Sequence, residues 1–408
     1  MESKRLKILI TGASGFVGSN VVKKLHNKYD FFALVRKGSK VDSIKQYCKI
    51  YRYGGDLNDL CAFIKTQDFD CVLHLAASCV SHFGSAEIKD LIESNITLGV
   101  EILEALRQFI ESSLQDSINI DSIESKKIES KIDCHDLLRN DKKGETTNIE
   151  TRNNKKNSKI PNFKCFINTL SMYQFANARS YNPVNLYAAT KQGFYDITLC
   201  YSQEFPNAIF SHLLLYDTYG ANDSRNKIFN LWAKGAKCLE MSKGEQLIDL
   251  SHIDDVINAF DILINLCVNK KIINNQIFSI ENSKRYSLKE LASIFEKVSN
   301  KKLNIKWGAK NYRKNEIFSP IKASQNKKLL AKLPTFKHKI NIESGFKMLL
   351  DSIKTNGGGG NTCLTKTYPT NTLKRQITES RFYKTSKFYN LYRFKSSNLS
   401  FRFYGGVA

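Results

Sequence analysis

The chain has no apolar stretch approaching the roughly 20 residues that a membrane helix needs. Its opening residues, Met1-Glu2-Ser3-Lys4-Arg5, lead into no signal-peptide apolar segment. Ten cysteines are scattered through the 408 residues with no pair at metal-ligand spacing, and the seven histidines form no metal-type cluster. Structural disulfides and zinc are therefore not expected, and Cys71 and Cys165 read as buried free thiols in core strands. Acid is also short: 39 Asp and Glu stand against 62 Lys and Arg, a net charge of +23. Much of that excess is local, because from Thr355 onward nine Lys or Arg face Glu379 alone, about +8. The other basic residues are dispersed, as on a solvated surface, so neither nucleic acid nor a membrane is expected as a partner. What remains is a soluble cytoplasmic protein, long enough for one large α/β domain with a smaller lobe.

Strand-like apolar runs fall near residues 6–11, 31–35, 49–53, 70–75, 163–168, 209–215 and 276–280, with helical patterns between them. That alternation predicts a Rossmann-type, doubly wound, mostly parallel sheet covered on both faces. The first strand runs directly into Thr11-Gly12-Ala13-Ser14-Gly15-Phe16-Val17-Gly18. Gly12 would turn the chain out of the strand, Gly15 would admit a pyrophosphate close to the backbone, and Gly18 would let the next helix pack on the sheet. The amides and dipole at that helix's start favour phosphate.

Far downstream stands Tyr187-Ala188-Ala189-Thr190-Lys191. The four-residue spacing puts Tyr187 and Lys191 on one helix face, a turn apart. A phenol with a pKa near 10 is a poor proton donor or acceptor at neutral pH. A neighbouring ammonium is expected to favour the phenolate and lower that value. The second strand's end carries Arg36, then Lys37 and Ser39, where an acidic residue would mark NAD; a cation there accommodates a 2′-phosphate. NADP(H) is therefore the preferred cofactor, with NAD(H) as the alternative.

Together with Gly55-Asp56-Leu57, His74-Leu75-Ala76-Ala77 and Ile253-Asp254-Asp255-Val256, these motifs resemble the extended short-chain dehydrogenase/reductases of the NAD-dependent epimerase/dehydratase family. The resemblance covers roughly residues 5–110 and 163–350. The wording around Tyr181-Asn182-Pro183-Val184-Asn185-Leu186 and Leu215-Tyr216-Asp217-Thr218-Tyr219-Gly220 is similar to the CDP-abequose and paratose synthase branch, which reduces the 4-keto group of a CDP-linked deoxyhexose.

The resemblance implies the site residues. The glycine turn, Asp56, Leu57, Leu75, Ala76, Ala77 and Asn95 would line the cofactor, with Tyr187 and Lys191 beside the nicotinamide. Thr169 would be the catalytic hydroxyl, with Ser171 as fallback. The family's dehydratases carry an Asp-Glu pair directly after that hydroxyl, and Leu170-Ser171 stand there instead. That demotes dehydration. Many members also carry Arg-Asp before the Ile-Asp-Asp-Val motif, the Arg binding the diphosphate; this chain has Ile248-Asp249. Arg225 and Arg313 become the candidates for holding a nucleotide-sugar substrate. A homodimer through the helices before and around Tyr187 is the family's habit.

These readings assign residues 1–217 to the dinucleotide-binding domain and 218–352 mainly to a substrate lobe, with late Rossmann elements near 250–280. Two segments do not fit. Residues 111–162 are polar and poor in aromatics and read as a disordered insertion, with a helix or two around Ile120–Ile132. Residues 355–408 begin with four glycines, mix basic residues with about ten Phe and Tyr, and read as an unstructured tail translated from a slipped guanine homopolymer. The expected function is an NADP-dependent reductase acting at C4 of a nucleotide-linked 4-keto-deoxyhexose for surface polysaccharide. The alternatives are a 4-epimerase that retains NAD, and an inactive NADP-binding protein.

Overall fold

Each of the seven apolar runs forms a strand, and the elements follow in the order β1 (Lys7–Thr11), α1 (Phe16–Leu25), β2 (Asp30–Arg36), β3 (Lys49–Tyr53), α2 (Leu57–Gln67), β4 (Cys71–His74), α3 (Ser85–Ile92), α4 (Leu98–Glu129), β5 (Cys165–Ser171), α5 (Leu186–Tyr201), β6 (Ile209–Leu215), α6 (Ile228–Ala233), α7 (Ile253–Val268), β7 (Gln276–Ser279), α8 (Leu288–Ser299), β8 (Leu330–Lys332) and α9 (Ile342–Asn356). Short strand pairs of two or three residues accompany them. The structure is a computed structural model that describes residues 4–79, 85–129, 161–176, 180–236 and 238–356.

The eight named strands make one sheet in the order β8-β7-β6-β5-β4-β1-β2-β3. Every pairing in it is parallel. The order reverses between β1 and β4, which is where ligands enter such sheets, beyond the carboxyl ends of the strands. β8 is the strand the sequence did not announce, three residues of which Leu330 alone is buried.

Alternation along the strands splits the core. Ile8 and Ile10 of β1 pack with Val21 and Val22 of α1 and with Val256, Phe260 and Leu263 of α7. Leu9 faces the other way, with Phe166, Phe194, Ile102 and Leu106, under α2, α4 and α5. A third cluster gathers Tyr219, Phe229, Trp232, Leu291, Phe295 and Phe346 from the later part of the chain.

The helix after β4 departs from expectation. It starts as α3, widens into a π turn at Glu93–Thr97, and continues as α4 without a break to Glu129. The first part of the segment read as disordered, residues 111–129, is therefore helical. It overlaps the helix expected around Ile120–Ile132, and the Ser, Lys and Glu among its residues sustain a helix through backbone hydrogen bonds. Residues 130–160 and 357–408, where the rest of the insertion and the tail were expected, lie outside the described residues.

Strand register also builds something no sequence pattern announces. Thr11, His74, Asn168 and His212 stand opposite one another across β1, β4, β5 and β6, all fully buried on the α5 face. Thr11 Oγ1 lies 3.1 Å from His74 Nδ1. His74 Nε2, the Asn168 amide and both His212 nitrogens have no partner among the described residues. Burial, followed by the charge of Lys191, lowers the pKa of each histidine to about 3. Both rings are neutral when folded and protonate near 6.5 when unfolded. Their contribution is therefore complete above about pH 6.5 and is lost as the pH falls from there toward 3. Unfolding by urea at pH 7.5 and pH 5 should show a loss of about 2 kcal/mol for each histidine. His212→Phe should remove its share of that slope, whereas a stability unchanged between the two pH values would mean that the rings are not held neutral.

Candidate active site

The glycine turn is fixed by collisions that any side chain would cause. Gly12 has φ +68°, and a Cβ on it would come within 2.7 Å of Ala76 N and Leu75 C, the loop that follows β4. A Cβ on Gly18 would strike the Gly12 carbonyl and approach Ala13 Cα to 2.8 Å. Gly15 caps α1 in an extended conformation, and no side chain bonds to the amides of the first turn. Ser14 and Gly15 are exposed there, and Phe16 and Val17 are half-buried. Thr11 Oγ1 draws the neighbouring loop in, accepting from Leu75 N at 3.1 Å and Ala76 N at 3.0 Å. Ala77 beyond them is exposed.

The remaining candidates for the cofactor fall around this turn in three different ways. Arg36 ends β2 with its side chain 75% exposed, and its only ion pair among the described residues is a 3.8 Å approach to Asp90. Such a surface pair contributes little, which leaves the guanidinium available to a ligand. Asp56 caps α2, accepting from Asn58 N at 2.9 Å, and Leu57 is the first residue of that helix. Asn95 is enclosed and committed to protein partners: its amide spans Ser78 N at 2.7 Å, Ser78 O at 3.1 Å and Thr190 Oγ1 at 2.8 Å. It braces the loop after β4 against α5.

α5 begins at a side-chain cap, Asn185 Oδ1 accepting from Ala188 N at 2.9 Å, which sets Tyr187 in the first turn and Lys191 one turn on. Lys191 is 2% exposed, and its ammonium donates to Thr169 Oγ1 at 3.2 Å. Burial lowers its pKa to about 8. Thr169 in turn lies 3.4 Å from the His74 carbonyl. Ser171, two residues on, acts on the Tyr187 phenol, pulling its pKa down against the effect of burial. The two hydroxyls that the sequence left as alternatives thus divide the site, Thr169 on the lysine and Ser171 on the tyrosine.

One expectation is corrected. The phenol of Tyr187 is raised above its ordinary value, first by burial and then by nearby Cys79, with Ser171 opposing. The Lys191 ammonium is not among these influences, and burial costs the phenolate more than the Ser171 hydroxyl returns.

Of the two arginines, Arg225 is held within the protein. Its Nε and one Nη reach both oxygens of buried Asp223 at 2.8 Å each, and the same Nη donates to Thr218 O at 2.9 Å. Its guanidinium carbon stands 4.3 Å from the centre of the Phe16 ring. Arg313 is exposed, and its charge acts on Asp217 and Tyr173. Asp217 was missed as a site residue. It opens the short strand that follows β6, its pKa raised by burial against the pull of Lys227, Arg225 and Arg313. Its signal was an acid directly after the long apolar strand β6. At the Ile248-Asp249 departure, Asp249 is buried against Arg285 at 2.9 Å, and Arg285 also donates to Pro320 O at 2.6 Å and Ile321 O at 2.9 Å. That arginine ties loops together. Asp255, the second aspartate of Ile253-Asp254-Asp255-Val256, likewise holds backbone, accepting from Lys339 N at 2.9 Å and Ile340 N at 3.2 Å.

These residues fit a dinucleotide. The cradle after β1 is one that Cβ atoms would fill, the amides of α1 lack a side-chain cap, and the buried Lys191 ammonium has a single neutral acceptor. Each is a demand that phosphates or ribose hydroxyls would meet. Among the described residues no group of His, Cys, Asp and Glu could hold a metal, and no helix is long and apolar enough to cross a membrane.

Comparison with known proteins agrees. The chain is 24% identical over 323 residues to a CDP-abequose synthase of Yersinia pseudotuberculosis, covering 77% of this chain and 92% of that one. A CDP-abequose synthase of Salmonella muenchen is 28% identical over 192 residues, 46% of this chain and 62% of the relative. Among solved structures, a UDP-glucose 4-epimerase of Thermotoga maritima with UDP-glucose superposes with a TM-score of 0.63 at 17% identity, covering 86% of this chain and 99% of the other. A UDP-glucuronic acid 4-epimerase of Bacillus cereus, in complex with UDP-glucuronic acid and NAD, gives 0.61 at 19% identity over 86% and 100%. These two likenesses speak to the fold alone. The sequence profile of the NAD dependent epimerase/dehydratase family matches residues 8–120 and 168–277. With the turn, the tyrosine and the lysine at one sheet edge, the chain belongs to that family and is an NAD(P)-dependent enzyme of it.

Proposed function

We propose that this enzyme reduces the 4-keto group of a nucleotide-linked deoxyhexose, of the CDP-linked type, with NADPH, as a step toward surface polysaccharide. The observation that carries the reading is the buried Lys191 ammonium bonded to Thr169 at 3.2 Å, one turn from Tyr187 on α5, with Leu170-Ser171 where dehydration would need an acid and a base. The likeness to CDP-abequose synthases supports the nucleotide and sugar class. The same reading includes a cytoplasmic homodimer.

When bound, the reduced nicotinamide supplies a hydride for C4. The chain's own part is the proton. Tyr187, whose raised pKa keeps it protonated at neutral pH, donates its phenolic hydrogen to the C4 oxygen as charge develops there. The phenolate left behind is stabilised by the Ser171 hydroxyl, and it regains its proton from solvent. With a pKa of about 8, Lys191 remains largely charged at pH 7 and also holds ribose hydroxyls. Thr169 keeps the ammonium in place. Arg313, which is exposed, is the cation available for the diphosphate, and Arg36 for the 2′-phosphate.

A panel of nucleotide 4-ketosugars incubated with NADPH tests the activity. Net loss of absorbance at 340 nm, with one sugar preferred, is expected. Conversion without net oxidation, with NAD retained through purification, would identify an epimerase instead, and no conversion at all an inactive binding protein. Tyr187→Phe should leave NADPH affinity nearly unchanged while turnover falls by about 100-fold or more. A Phe variant with near-normal turnover would remove Tyr187 from the role of acid.

Cofactor choice has its own check. Arg36→Asp replaces a phosphate partner with a repelling charge and should weaken NADPH far more than NADH in a fluorescence titration. Equal losses for both would show that Arg36 does not meet the 2′-phosphate.

A further inference from the structure

Arg225 is built into the protein at both ends of its reach. It lies between the strand Asp217–Tyr219 and α6, at the start of the third core cluster. Asp223, whose side chain is 1% exposed, grips it through two guanidinium nitrogens and its backbone amide, the last at 3.0 Å. Thr218 accepts from it through the main-chain carbonyl, and Asn230 of α6 donates to the Arg225 carbonyl at 2.8 Å. The segment 218–230 is thereby folded around one side chain. The opposite face of that side chain rests on Phe16, the residue that follows Gly15 and opens α1. A guanidinium stacked 4.3 Å from a ring centre is attracted by the ring's quadrupole. A shift of the ring would therefore change what the guanidinium rests on.

We infer that Arg225 couples the two binding steps, so that NADPH at the glycine turn tightens the site for the nucleotide-sugar diphosphate, and the reverse. This rests on the reading of the chain as an NADPH-dependent nucleotide-sugar enzyme. Phosphates on the first turn of α1 order Phe16, Phe16 orders the guanidinium, and the guanidinium holds Asp223 and Thr218 beside Asp217, Lys227 and Arg313. Arg225 is a positioning residue here and touches neither reacting atom. Its single Nη without a hydrogen bond among the described residues carries no part of the inference.

Coupling is a measurable quantity and must be reciprocal. Calorimetric titration of the whole protein with CDP, UDP, GDP and dTDP identifies the tightest nucleotide. Its affinity is then measured with and without saturating NADPH, and NADPH affinity with and without that nucleotide. The expected factor in the native protein is about fivefold or more, the same in both directions. Phe16→Leu, which keeps apolar bulk and removes the ring, should bring it close to one while both ligands still bind. Phe16→Tyr should restore it. Arg225→Lys keeps the charge but lacks the planar fork, and should uncouple as Phe16→Leu does. A native factor of one, or a factor unchanged in Phe16→Leu, overturns the inference and leaves the activity assignment standing. Failure of the native protein to bind NADPH or any of the nucleotides overturns both.

Discussion

The constraint on which the site depends is the burial of the Lys191 ammonium. A charge enclosed to 2% exposure with one neutral hydroxyl as partner is expensive, and proteins ordinarily avoid it by pairing or by losing the proton. Here the cost is met by the rigidity of what surrounds it. Helix α5 cannot slide, because Asn185 caps its start, and Thr190 is tied through Asn95 to the loop after β4. β5 cannot shift, because it is paired along its length with β4 and β6. The ammonium is held in a place it would leave if it could. Held groups of this kind are what a ligand rich in hydroxyls or phosphates satisfies on arrival, and the enclosed polar row beside it adds to the same deficit.

The fold was largely legible because its signals are local. Seven strands announced themselves as apolar runs of the right length, and the glycine turn and the Tyr187–Lys191 spacing each encode a geometry in a few adjacent residues. What was not legible depends on neighbours far away in sequence. The row Thr11, His74, Asn168 and His212 exists only once four strands are in register. Whether Thr169 or Ser171 meets Tyr187 is decided by where α5 lies over β5, since both hydroxyls point to the same side of the strand. The phenol's pKa was misjudged because spacing reveals a neighbouring charge but not the loss of water, and desolvation is the larger effect here. Arg225 looked like an arginine free for a ligand because Asp223, two residues away, could not be seen to turn back onto it.

A helix was expected around Ile120–Ile132, but its unbroken run from α4 was not read, for a related reason. Sequence reading rewards an apolar face, and past Ile110 the apolar residues of this helix are thinned among Ser, Asp, Glu and Lys. Its existence is a matter of backbone hydrogen bonding extended from a well-packed start, where Ile102, Leu103 and Leu106 lie in the core. A nucleated helix propagates cheaply through Ser, Glu and Lys, so composition alone could not mark the point where it stops.

The direction of that helix decides what kind of change the enzyme can tolerate. α4 starts near the catalytic edge, where Asn95 meets Ser78, and runs back along the sheet. Only about 20 Å of helix is needed to traverse strands of five to seven residues, so the part beyond Ile110 overhangs the opposite edge. The chain re-enters there too, Asn162 fastened to Asp68 by bonds of 2.9 and 2.7 Å ahead of β5. The described chain thus resumes at Pro161 at the pole remote from the phenol and the glycine turn. A strain introduced along α4 beyond Ile110 therefore arises at the far end of the helix from the chemistry, and reaches it only through the packed start of that helix.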